Sequence, residues 1–138
     1  MRPTALTLAL TLALAFTLVP TLPAVAQENL EGREIFVGAC AGCHGADGHG
    51  DGPMAELLTV PVPDLTAIAE REGGTFPWLR IVHMVDGRTG LRGHGGPMPI
   101  FGAVFTGDTV AADGPDGTPV ITSHRVLEVV DYLMSIQR

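Results

Sequence analysis

The sequence predicts an all-α domain, and three observations predict it. Val126, Val129, Val130, Leu133, Met134 and Ile136 recur at three- and four-residue spacing, which makes one apolar stripe along a helix near the end of the chain. Strands are weakly signalled. Between Gly45 and Pro63, and again between Arg88 and Pro99, there is little continuous apolar sequence. A short chain of this kind buries too little surface on its own, so a disulfide, a metal or a cofactor is expected to complete the core.

Taken in order, the first residues are not part of that domain. Arg2 is the only charged side chain before Glu28, and Ala5 to Val19 is a run of Ala, Leu, Phe, Val and Thr. Pro20 and Pro23 break the run, and Ala24-Val25-Ala26 offers small residues where a signal peptidase inspects the chain. This is the pattern of a secretory signal peptide over residues 1–26, cut after Ala26, and it leaves a domain at 27–138. An uncleaved anchor ranks lower, because the run falls short of the ~20 apolar residues that a spanning helix needs.

Four helices follow. The first covers Leu30 to Ala39, with Asn29 as N-cap and Leu30, Ile35, Phe36 and Ala39 on one side. A short second helix covers Met54 to Leu58, after the turn at Gly52-Pro53. The third has Thr75 as cap and Pro77 in its first turn, carries Leu79, Val82, His83 and Val85, and ends near Asp86-Gly87. The last is Ser123 to Gln137. Between the third and the last, Gly107 to Thr122 is punctuated by Asp-Gly, Gly-Pro and Asp-Gly-Thr-Pro, the signs of an irregular loop or a small hairpin. The chain shows no internal repeat, no low-complexity tract and no second domain.

Charge narrows the function classes. The 138-residue sequence carries a net charge of −7 and contains no lysine; losing residues 1–26 removes one Arg and no acid, which takes the charge to −8. An acidic domain is a poor binder of nucleic acid or anionic membrane, both of which call for basic surface. The mean hydropathy of +0.30 owes much to the leader.

Both cysteines lie in Cys40-Ala41-Gly42-Cys43-His44. A zinc site wants about four ligands, and this motif supplies one cysteine pair with a histidine too close behind it. A redox disulfide of the C-x-x-C type sits at the start of a helix that follows a strand, whereas here the motif follows a helix and precedes a glycine-rich loop. The remaining reading is C-x-x-C-H, the attachment signal for c-type haem. Thiols three residues apart can each form a thioether with one of two vinyl groups on the same porphyrin edge. The adjacent histidine is then carried beneath the ring, within reach of the iron.

This segment resembles the class I (mono-haem) bacterial cytochrome c family, and the resemblance extends over the whole of 27–138. Gly32 and Phe36 precede Cys40 as the family's first-helix glycine and aromatic do, and Val129, Tyr132 and Leu133 resemble the face of the C-terminal helix that crosses it. The resemblance implies the class I cytochrome c fold, three to five helices wrapped around one covalently bound haem c. It also implies thioethers from Cys40 and Cys43, and His44 as an axial iron ligand. Gly52-Pro53 resembles the family's Gly-Pro, whose proline carbonyl accepts a hydrogen bond from the proximal histidine, so Pro53 is expected beside the cofactor. A methionine in a proline-flanked loop is the family's second iron ligand, and Gly96-Pro97-Met98-Pro99 has that form, which makes Met98 the expected sixth ligand and His94 the next choice. His83 and Met84 on the third helix are further competitors, Met54 is too close to the attachment loop, and His49 and His124 read as surface residues. Trp78 has two readings of equal weight, an indole N–H donor to a haem propionate or packing against the ring. Arg88 or Arg92 is a candidate to neutralise a propionate. Pro63-Asp64-Leu65 reads as a turn with a buried leucine beside the haem, and Asp47, Asp51, Asp113 and Asp116 as solvated loop acids.

With His44 and Met98 both on iron, no coordination position is open, which suits one-electron exchange through the haem edge rather than catalysis. The expectation is a monomeric periplasmic electron carrier, not an enzyme, serving periplasmic donor and acceptor proteins, a membrane-bound oxidoreductase among them. Two alternatives stand beside it: a haem subunit docked on an oxidoreductase, with 107–122 as docking element, and a haem protein whose labile sixth ligand admits gas or peroxide.

Overall fold

The computed structural model describes residues 24–88, 101, 102, 104, 105 and 107–138, with side chains from Leu30 onward. Helix α1 spans Ala24–Ala39. It starts earlier than predicted, so Asn29 lies inside it and is not its cap; Ala24, Ala26, Gln27 and Glu28 all favour the helix and carry it across that position. A four-residue α2, Ala41–His44, follows at once. The glycine-rich loop then folds back on it: Gly52 N–H donates to the Cys43 carbonyl at 3.1 Å, and Met54 N–H to Gly42 at 2.8 Å.

The predicted second helix is only a 3₁₀ turn, Ala55–Leu57. A second such turn, Leu65–Ala67, runs into α3, Ile68–Arg71, and neither was predicted. Elements this short show no periodicity, and their start is set by a local cap. Asp64 Oδ1 accepts from Thr66 N–H at 2.8 Å and from Thr66 Oγ1 at 2.6 Å. Helix α4, Trp78–Asp86, begins directly after Pro77, which takes the N-cap position expected of Thr75. It ends at Gly87, whose φ of 84° is the left-handed stop the sequence signalled.

At 109–123 the chain takes the second of the two forms expected there, a small hairpin, so the domain is mostly rather than wholly helical. This segment forms a hairpin of β1, Thr109–Asp113, and β2, Pro119–Ser123, antiparallel with Ala111 opposite Ile121. Burial alternates along β2, with Val120 and Thr122 inward and Ile121 outward, so the period-two signal was there but only five residues long. Helix α5, His124–Ser135, is capped by Ser123, whose Oγ accepts from Val126 N–H at 3.3 Å.

Helices α1 and α5 pack against each other as expected. A Cβ on Gly32 would stand 2.2 Å from the Glu128 carbonyl oxygen, so only glycine allows this approach. Beside it the Phe36 and Tyr132 rings pack tilted at 48°, centroids 5.3 Å apart. Phe36, Val82, Val126, Val129 and Val130 are fully buried and join α1, α4 and α5 in one core. The hairpin is fastened to α4 where Thr122 Oγ1 donates to Asp86 Oδ2 at 3.0 Å.

Candidate haem site

One cavity of about 460 Å³ opens in this core, within the ~300–1,000 Å³ typical of small-molecule sites. Its walls come from every helical element. The end of α1 contributes Phe36, Ala39 and Cys40; α2 contributes Cys43 and His44. Residues 58–65 and Ile68 close one side, Ile81, Met84 and Val85 of α4 another, and Val129 and Leu133 of α5 the floor. The walls are overwhelmingly apolar.

The attachment motif sits in this wall because α1 runs directly into α2. His44 N–H bonds the Cys40 carbonyl at 3.0 Å, which winds the two thiols and the imidazole into a single turn. Both cysteines are free thiols. Burial, with the neighbouring Cys43 adding to it, pushes the Cys40 thiol up to about 12, so that sulfur stays uncharged at neutral pH. A thioether is uncharged as well, and suits the same apolar wall. The imidazole Nδ1 of His44 is buried. Among the described residues no group of three or more His, Cys, Asp or Glu side chains is placed to hold a metal ion by itself. Two free cysteines and an imidazole on the wall of an apolar cavity fit a covalently held metalloporphyrin and do not fit zinc.

The family model for cytochrome c matches residues 30–137. The chain belongs to the cytochrome c family. No curated protein and no solved structure matches the chain. The cofactor of this cytochrome is accordingly haem c, covalently attached.

The cytochrome's other expected site residues are distributed less simply. Gly52 rests on α2, where a Cβ would come within 2.5 Å of the Ala41 oxygen, and this brings the exposed Pro53 next to the turn that carries His44. Trp78 is buried, but its indole N–H donates to Asp131 Oδ1 of α5 at 2.8 Å and the ring is not part of the cavity wall. The single indole N–H is thus held by Asp131, and Trp78 is a buried residue that ties α4 to α5. Arg88 is likewise engaged elsewhere, with the Asp86 carboxylate and the Ile121 carbonyl. His49 and His124 are exposed, near Asp64 and Glu128 respectively. Met84 reaches the wall, whereas His83 and the half-exposed Met54 do not. Leu65 lines the cavity as the Pro63-Asp64-Leu65 turn suggested. Met98, His94 and Arg92 lie outside the described residues.

Sequence reasoning missed three charged residues on the wall, Arg71, Glu72 and Arg80, of which Arg80 and Glu72 form an ion pair. Nothing local marks them among the chain's other arginines and acids; only the fold singles these three out.

Proposed function

We propose that this cytochrome is an electron carrier that works in the periplasm, alternately meeting a donor and an acceptor protein and catalysing no reaction of its own. The observation that carries the reading is the placement of Cys40, Cys43 and His44 in one turn on the wall of an apolar cavity of haem-site size. Bound there, the haem supplies a single iron that takes up and gives back one electron. Cys40 and Cys43 would hold the porphyrin through thioethers, and His44 and Met98 would supply the ligands of its iron. Support for Met98 comes from its position three residues before Phe101, which lines the cavity and whose N–H bonds the Val85 carbonyl at 3.1 Å. Pro53 orients His44. Arg71 and Arg80, which line the cavity beside Glu72, would face the haem carboxylates. Phe36, Ile81, Val85 and Leu133 keep water from the iron, which favours the ferrous state.

Export rests on the leader pattern at residues 1–26 and on the general habit of the family. No helix among the described residues is long and apolar enough to cross a membrane.

The test is the visible spectrum of the reduced, purified protein with and without carbon monoxide. The carrier reading expects no change, because both axial positions are taken, and expects Met98→Ala to open the site. Failure of that variant to bind carbon monoxide moves the sixth ligand to His94 or to Met84. Ready binding by the native protein replaces the carrier by a ligand-binding haem.

A further inference from the structure

The residues that follow α5 tie down part of the cavity wall. The amide N–H of Ala69, in the first turn of α3, has no partner within its own helix. Gln137, 68 positions away, supplies one: its Oε1 accepts from Ala69 N–H at 2.9 Å. The same side chain donates through Nε2 to the Leu65 carbonyl at 2.9 Å and to the Leu133 carbonyl at 2.6 Å. One amide thus caps the beginning of α3, the 3₁₀ turn before it and the last turn of α5. Arg138 adds a second set of ties, its N–H donating to the Thr66 carbonyl at 3.1 Å and its guanidinium to Asp64 Oδ2 at 3.2 Å. Leu65 itself is fixed from the other side, its N–H bonded to the Gly48 carbonyl at 2.7 Å.

Leu65 and Ile68 of this tied segment are part of the cavity wall, and so is Leu133. The segment has little else to hold it: one 3₁₀ turn and four helical residues cannot be stable alone. We propose that Gln137, assisted by Arg138, is a positioning latch that holds the Leu65–Ile68 wall shut against water and so keeps the haem's reduction potential high. The latch rests on the haem reading of the cavity for its effect on potential, but not for its effect on the wall.

The experiment is native-state hydrogen exchange and redox titration of the holoprotein in three forms: native, Gln137→Ala and Gln137→Glu. Losing three hydrogen bonds from one site should speed exchange at the Ala69 amide by about tenfold or more. The Val85 amide in α4 keeps its native rate. Gln137→Glu retains the acceptor and restores protection at Ala69. The potential of Gln137→Ala falls below the native value, as water gains access. An unchanged Ala69 rate, or a rise shared by every amide, overturns the latch. Selective exposure of Ala69 with an unaltered potential also overturns it, since the turn would then be held without sealing the cavity. Absence of bound haem in all three forms would instead defeat the functional reading, and the exchange rates would still decide whether Gln137 holds the wall.

Discussion

Asp64 shows how much a single side chain can organise. Its carboxylate accepts from the Thr66 hydroxyl and amide and pairs with Arg138, and His49 lies 3.6 Å away. The Thr66 hydroxyl bond does most to hold this carboxyl below its ordinary 3.8; the Thr66 amide, Arg138 and His49 act in the same direction, against a smaller opposing effect of burial. A depressed folded value stabilises the fold above the unfolded value, and the gain is lost as pH falls through the folded one. Unfolding by urea should therefore show the native protein more stable than Asp64→Ala at pH 6, with the gap closing progressively below pH 3.8. A gap that stays constant down to that range would mean that the ionised carboxylate contributes nothing. The sequence marked Asp64 as part of a turn without a chemical role; its partners at positions 49 and 138 are visible only once the chain is folded.

The crossing of α1 and α5 rests on the same kind of close contact, at the level of whole elements. Gly32→Ala puts a methyl 2.2 Å from the Glu128 carbonyl oxygen and 2.9 Å from Tyr132 Cβ. Alanine in place of glycine raises helix propensity by about 1 kcal/mol, but overpacking costs ~1–3 kcal/mol. The obstructing atoms belong to backbone and to a Cβ, which cannot swing aside, so the clash wins. Gly38 lies on the same helix, and a Cβ there meets nothing within 4 Å. Thermal unfolding should accordingly show Gly32→Ala less stable than the native protein and Gly38→Ala slightly more stable. Equal effects at the two positions would refute close approach as the reason for Gly32. Both helices were legible in the sequence from their apolar spacing, whereas the crossing glycine and its aromatic neighbours came from the resemblance to the cytochrome c family. The 3₁₀ turn with α3 and the β-hairpin were less legible, being four or five residues long and stabilised mainly by what they pack on.

At the scale of the molecule, a charge of −7 without any lysine attracts cations and repels anions. Long-range attraction between exposed charges is screened over about 10 Å at 0.1 M salt. Stopped-flow reduction by a cationic reagent should slow as salt rises, and reduction by an anionic reagent should accelerate. Opposite trends would place a local basic patch over the route of electron exchange, and Arg71 and Arg80 would be the first residues to replace.

The sequence alone determined what is encoded locally: the C-x-x-C-H attachment signal, the apolar stripe of α5, the glycine and phenylalanine that precede the motif, and two long stretches with little continuous apolar sequence, which called for a disulfide, a metal or a cofactor. What only the tertiary structure decided are relations between distant positions. Trp78 gives its N–H to Asp131, 53 residues on. Arg80 and Arg71, and not Arg88, reach the cavity. Gln137 completes a helix that begins 69 residues before it. A periodicity reports which face of an element turns inward, because one residue's burial repeats with the helical turn. It carries no record of which other element that face will meet, since a hydrogen bond between remote residues leaves no repeat in the chain.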